Sequence, residues 1–243
     1  MPPSCESVRR SGMEEHDRLF APGRNCWRVE TANRFAVLME NAAYFAALRS
    51  ALDKAQRSVV VLGWQFDPRT RLHPDIADAG PLDEIGHLLR MLVKTRPELD
   101  VRLLIWKSPL VIAASQGFFP QRAQQWFRKR MVEFRLGPPP APGACHHQKV
   151  VIIDDAVAFC GGGDISVDRW DSCEHLDDDP RRCMPSGLIA SPRHEVMCVA
   201  DGPPARALGD LARERWRLAT DEQTIVDEAP GDPWPDGVEP DLT

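Results

Sequence analysis

His147-Gln148-Lys149-Val150-Val151-Ile152-Ile153-Asp154-Asp155-Ala156-Val157-Ala158-Phe159-Cys160-Gly161-Gly162-Gly163-Asp164 is the stretch from which the fold is read. Two apolar runs, 148–153 and 156–160, are separated only by the turn-forming pair Asp154-Asp155, so they form a hairpin. Side chains alternate faces along an extended strand. His147 and Lys149 therefore emerge on the same side, about 7 Å apart at about 3.3 Å per residue. An imidazole and an ammonium then face one pocket, to which the second strand returns through the glycine run and Asp164.

Upstream of the hairpin the chain alternates between two periods. Residues 41–57 carry Tyr44, Phe45, Leu48 and Leu52 at three- and four-residue intervals, the pattern of an amphipathic helix. A short buried strand follows over 58–64. The pair repeats as a helix over 82–95, with Ile85, Leu88, Leu89 and Leu92, and a strand over 100–106. A third unit is a helix over 121–130 and a strand over 131–136, after which the proline-rich stretch 137–143 is a loop, because proline supplies no backbone donor. Downstream, 195–200 is a further strand and 203–220 a helix with proline at its start and Leu208, Leu211 and Leu218 on one side. The expected fold is α/β: a mixed, mostly parallel sheet flanked by helices on both faces. The expected organisation is an irregular N-terminal arm over 1–30, one catalytic domain over 31–220, and an acidic, proline-rich tail over 221–243.

The 243 residues carry a formal charge of −6. Residues 221–243 hold eight acidic side chains and no Lys or Arg, so the rest of the chain sums to about +2. That is too weak a positive balance for a nucleic-acid partner, which needs a clear basic footprint. Residues 1–20 lack the apolar run of a secretory signal, and no segment reaches 18 uninterrupted apolar residues, so a cytoplasmic location is expected, with peripheral contact to the inner membrane face. Seven irregularly spaced cysteines favour free thiols over a disulfide framework.

The residue types in the pocket suit phosphodiester cleavage. That reaction needs a nucleophile that forms and later releases a bond to phosphorus, and cationic donors for the non-bridging oxygens. His147 meets the first need and Lys149 the second. Gly161 and Gly162 would let backbone approach a phosphate, and Asp164 would hydrogen-bond to Lys149 or substrate. Glu195, at the start of its strand, can accept the imidazole N–H of His147 and stabilise its charged form.

His-x-Lys-x4-Asp followed after six residues by Gly-Gly resembles the signature of the phospholipase D superfamily. The neighbouring Gly162-Gly163-Asp164-Ile165, Arg169-Trp170-Asp171 and Pro192-Arg193-His194-Glu195-Val196 resemble the amino-terminal repeat of two-repeat phosphatidyl-transferring members. Asn25-Cys26-Trp27-Arg28-Val29 and Gly63-Trp64-Gln65-Phe66-Asp67 extend the likeness over nearly the whole chain. The resemblance implies hydrolysis or transfer of glycerophospholipids in two steps through a phosphohistidine, with His147 as nucleophile, Lys149 holding phosphate, and Arg169 and Trp170 beside the substrate. It implies no cofactor and no metal. Asp164 stands where many members have Asn, and Glu195 where two-repeat members often have Asp. Asp154 belongs to the signature, but its strand parity and turn position point to a structural hydrogen-bonding role.

One departure matters most: the sequence contains no second His-x-Lys-x4-Asp. His194 has Val196 at the lysine position, and His146 has Gln148. A site needing both a nucleophile and a general acid is half supplied, so the second half is expected from a homodimer partner or a separately encoded repeat. The ending Pro233-Trp234-Pro235-Asp236-Gly237-Val238-Glu239-Pro240-Asp241 resembles the connector toward a second repeat, which reads as a chain that stops mid-protein. Two other outcomes are a single-motif, nuclease-like phosphodiesterase acting as a homodimer, and an inactive remnant. Cys173, His175, Cys183 and His194 could hold zinc, but match no common ligand spacing. The basic stretch 121–130 reads mainly as a solvated helix face, and Trp64 and Trp170 as core aromatics or the edge of a lipid entrance.

Overall fold

The hairpin forms at the middle of a seven-stranded sheet. The computed structural model describes residues 19–76, 80–108, 120–128, 131–141, 143–224 and 231–242. Strands β5 (Val150–Ile153) and β6 (Val157–Gly161) pair antiparallel, with Val150 opposite Cys160 and Ile153 opposite Val157. The turn between them closes when the Ala156 N–H donates to the Ile153 carbonyl at 3.0 Å. Asp154 and Asp155 both have positive φ, 56° and 51°, a conformation that short polar side chains tolerate.

The remaining strands are β1 (Phe35–Met39), β2 (Ser58–Gly63), β3 (Asp100–Trp106), β4 (Val132–Gly137) and β7 (Val196–Asp201). Their order is β1-β7-β6-β5-β2-β3-β4. The sheet is mixed, as the sequence indicates, but the expectation that it is mostly parallel needs correction. Only β2–β3 and β3–β4 are parallel, and the other four neighbouring pairs are antiparallel. A parallel neighbour needs a long crossover between its strands, usually a helix. Helices lie between β2 and β3 and between β3 and β4, whereas β5 reaches β6 through a tight turn and β7 pairs antiparallel at the end of a long irregular excursion.

Alternation along the strands divides the core between the two faces. Val59, Val61, Val101, Leu103, Val151, Ile153, Val157 and Phe159 share one cluster with α1 (Glu40–Lys54), α2 (Ile85–Thr95) and α3 (Pro120–Phe127). Leu62, Leu104, Val150, Ile152 and Ala158 face α4 (Pro203–Thr220). Leu88, Leu89 and Leu92 of α2 are wholly buried, each contributing roughly 1.5–3 kcal/mol. The apolar face read for α4 is corrected in part: Ala205, Ala212 and Trp216 meet the sheet with Leu208 packed against them, while Leu218 is exposed. Small residues let this helix approach closely, and Gly209 leaves room for the Asp155 carboxylate that pairs with Arg213.

The chain divides into two units after Thr31. In the described part of the first, 19–31, Asn25 closes a turn by accepting from the Ala21 N–H at 2.7 Å. The acidic, proline-rich stretch shows no core pattern in the sequence, yet Trp234 joins the main core and its indole donates to the Val238 carbonyl at 2.8 Å. Residues 1–18 and 225–230, and Lys129 and Arg130 of the basic stretch, lie outside the described residues. No helix among the described residues is long and apolar enough to cross a membrane.

Strand direction creates one chemically rich edge. β2, β3, β4 and β6 end there at Gly63, Trp106, Gly137 and Gly161, while β5 and β7 begin there at Val150 and Val196. In open α/β sheets, ligands bind outside the carboxyl ends of the parallel strands. The motif histidine and lysine immediately precede β5 at this edge.

Candidate active site

Lys149 is buried, with its Nζ 3.1 Å from Asp164 Oδ2, and both side chains are almost fully enclosed. The separation is that of an ion pair, but neither atom makes a hydrogen bond among the described residues. The two groups are thus an ion pair in close contact whose alignment falls short of a hydrogen bond. Asp164 is fixed from its other oxygen: Oδ1 accepts from the backbone N–H groups of Trp64 and Gln65, each at 3.0 Å. One carboxylate thus ties the turn after β2 to the lysine before β5.

His147 is exposed. Its ring lies 5.4 Å from Trp64, measured between centroids, and Lys149 Nζ lies 5.4 Å from the same indole. The two motif side chains therefore meet on one aromatic surface, as strand parity indicates. Trp64 in turn stacks on Trp106 at 5.7 Å with nearly parallel planes. On the opposite face Arg215 donates to His146 Nδ1 at 2.7 Å and to Gln148. Burial and then the Arg215 charge lower the His146 pKa, holding that ring neutral.

Four expected contacts differ. Glu195 does not reach His147; its carboxylate accepts from Arg169 at 3.3 Å, and Arg169 also donates to Gln65 at 2.8 Å. Arg169 is thereby held between two side chains beside the site. Trp170 is not at the substrate edge: it is buried in the main core under the Arg181 guanidinium. The N–H groups of Gly161 and Gly162 do not face a ligand, because they donate to the carbonyls of Lys149 and Val196 at 3.3 and 2.9 Å. These glycines instead permit close packing: a Cβ on Gly161 would lie 2.4 Å from the Val196 carbonyl oxygen, and one on Gly162 2.7 Å from Glu195 Oε2.

Asp154 sits at the far end of β5 from Lys149. Its carboxylate accepts from the backbone N–H groups of Gln56, Arg57 and Ser58 at 2.9, 2.7 and 2.8 Å, which staples the entry into β2 to the hairpin turn. The sequence gives Gln65 and Trp106 no site role, since each needs the β2–β3–β5 pairing to reach the motif. The Gly63-Trp64-Gln65 stretch was a usable signal, because Gly63 closely approaches Ile105 and the turn it begins supplies both donors to Asp164.

No family model matches the chain. Phospholipase D zeta 1 of Arabidopsis thaliana is 24% identical over 229 residues, covering 82% of this chain and 20% of that protein. Phospholipase D A of Dictyostelium discoideum is 31% identical over 141 residues, covering 56% of this chain and 10% of its own length. The chain is similar to phospholipase D superfamily proteins over most of its length. It spans about a fifth of the length of phospholipase D zeta 1 and zeta 2 of Arabidopsis thaliana and of phospholipase D2 of Bos taurus. Among solved structures, NucT from Helicobacter pylori superposes with a TM-score of 0.50 at 15% identity, covering 76% of this phospholipase D-like chain and 96% of NucT. That likeness is one of fold.

Proposed function

We propose that this chain supplies one half of a phospholipase D-type site that cleaves glycerophospholipid phosphodiesters, with His147 as nucleophile. The reading rests on one observation: an exposed imidazole stands beside a buried lysine that is ion-paired with Asp164, both against Trp64. An imidazole nitrogen of His147 attacks phosphorus as the bond from phosphorus to the headgroup oxygen breaks, and a second acid protonates the departing alcohol. Water or another alcohol then attacks the phosphohistidine, the phosphorus–nitrogen bond breaks, and the proton returns to that second group. Lys149 holds non-bridging oxygens in both steps. Arg169, braced by Gln65 and Glu195, stands next to the same edge. A cleft lined by Leu188, Ile189 and Met184, with Arg69 and Arg193 paired to Asp67 and Asp168, offers aliphatic surface rimmed by ion pairs.

The second acid comes from another motif outside these 243 residues. A further copy of this chain is one candidate, and a separately encoded repeat is another. Sedimentation with a short-chain phosphatidylcholine assay separates them. A homodimer turns over alone, a hetero-pair turns over only when the second repeat is supplied, and turnover by a proven monomer overturns the half-site reading. Intact-mass analysis of the active assembly should find a phosphatidyl adduct on His147 that is absent in His147→Ala. Unchanged turnover by that variant, or turnover without an adduct, overturns the nucleophile assignment, and absence of turnover in every pairing identifies an inactive remnant.

A further inference from the structure

Away from the motif, His175 and His194 converge on Glu40. The three offer ligand atoms that all lie within 4.8 Å of one another. Glu40 is 3% exposed and sits at the junction of β1 and α1 with φ 65°, left-handed backbone that costs a non-glycine residue about 1–2 kcal/mol. Its Oε2 accepts from the Glu195 N–H at 3.1 Å, which leaves Oε1 to face both imidazoles.

The tautomer of His175 sharpens the problem. Its Nδ1 lies 2.9 Å from Asp171 Oδ2, and Asp171 is itself buried and held by Arg182 and by the backbone N–H of Arg193. With the Nδ1 proton committed to that carboxylate, a neutral His175 presents the lone pair of Nε2 to Glu40 Oε1 at 3.3 Å. Two acceptors face each other, so a positive charge belongs between them. A carboxylate behind a histidine is also the arrangement that orients imidazole ligands toward metals. The 3.3 Å separation of His175 Nε2 from Glu40 Oε1 matches the edge of a tetrahedron built on bonds of about 2.0 Å, whereas His194 Nδ1 is hydrogen-bonded directly to Oε1 and its exposed ring must draw back to admit a metal.

We propose that Glu40, His175 and His194 bind a zinc-class dication through Oε1, Nε2 and Nδ1, with a fourth position open to solvent. Two imidazoles and one carboxylate are borderline donors that suit Zn2+ over Mg2+ or Ca2+. The cation pins the irregular segment before β7 to the start of α1, and so fixes Glu195, whose N–H and carbonyl both bond to Glu40. The cysteines of the zinc set considered from sequence, Cys173 and Cys183, are not in this cluster. The rival occupant is a proton shared by the same three groups.

The test uses the untagged full chain, stripped with chelator and titrated with Zn2+ by calorimetry, with Co2+ absorption reporting geometry. One equivalent should bind with a tetrahedral or five-coordinate Co2+ spectrum, while Mg2+ and Ca2+ give no heat. His194→Ala, at an exposed side chain and so expected to fold, should weaken Zn2+ binding at least tenfold, and Asp171→Asn about 10–100-fold through His175. Absence of Zn2+ binding by folded wild-type protein overturns the proposal in favour of the shared proton. Binding that survives His194→Ala and His175→Ala, or is lost in a Cys173→Ser/Cys183→Ser double variant, overturns the ligand assignment.

Discussion

Replacing Asp164 tests whether the Lys149 pair is as enclosed as the geometry indicates. The carboxylate is 2% exposed, takes two backbone N–H groups on Oδ1, and faces Lys149 from Oδ2 at 3.1 Å. Asp164→Ala removes both functions and strands a buried ammonium, a loss of about 3–5 kcal/mol for breaking a buried pair. For a chain of this size that is a melting shift on the order of 10 °C. Asp164→Asn keeps an oxygen for the Trp64 and Gln65 donors. It should therefore be more stable than the alanine variant by about 1–3 kcal/mol, the net worth of two hydrogen bonds. Lys149→Met alone leaves the carboxylate unpaired, whereas Lys149→Met/Asp164→Asn removes both charges and should recover most of the loss of either single variant. Urea unfolding followed by tryptophan fluorescence measures all four, with Trp64 reporting at the site. An Asp164→Ala variant within 1 kcal/mol of wild type, or a double variant showing the simple sum of its singles, refutes a desolvated, coupled pair.

Further outcomes follow from the same contacts. Gly161→Ala pushes a methyl into the β7 backbone and should cost about 1–3 kcal/mol, more than Gly162→Ala, whose nearest obstacle is the end of the partly exposed Glu195 side chain; equal effects would contradict the packing role. Asp154→Ala loses the acceptor for three N–H groups and places alanine at φ 56°, so it should destabilise by more than about 2 kcal/mol, with Asp154→Asn milder. A neutral Asp154→Ala would sink the staple. Hydrogen bonds from Arg34 to Asp232 and from Lys54 to Asp236 hold both carboxyls below the usual carboxylate range. They favour docking of 231–242 above about pH 3.9, and that contribution is lost as pH falls through the depressed values. Pepsin should therefore cleave near Trp234 increasingly as pH drops from 4 to 2, and an Asp232→Asn/Asp236→Asn variant should not show that rise.

The sequence by itself determined what depends on neighbours along the chain. Alternation in 147–164 set the hairpin and brought His147 and Lys149 to one surface, because the two-residue period of a strand is local geometry. The βα repeats and the leucine face of α2 were legible for the same reason, and so was Asp154 as a turn residue, since a short polar side chain tolerates the positive φ of a tight turn. Tertiary structure decided what depends on who pairs with whom. The antiparallel pairs that β7 makes with β6 and β1, the use of Gly161 and Gly162 for packing and the capture of Glu195 by Arg169 go with the arrival of β7 beside β6, and the burial of Trp170 is likewise tertiary. Glu40 meets His175 and His194 only because β1 lies on the far side of that same strand. Side-chain identity limits which contacts are chemically sensible, but contacts between residues more than 100 positions apart are chosen by the sheet order that buries the most apolar surface while satisfying backbone donors.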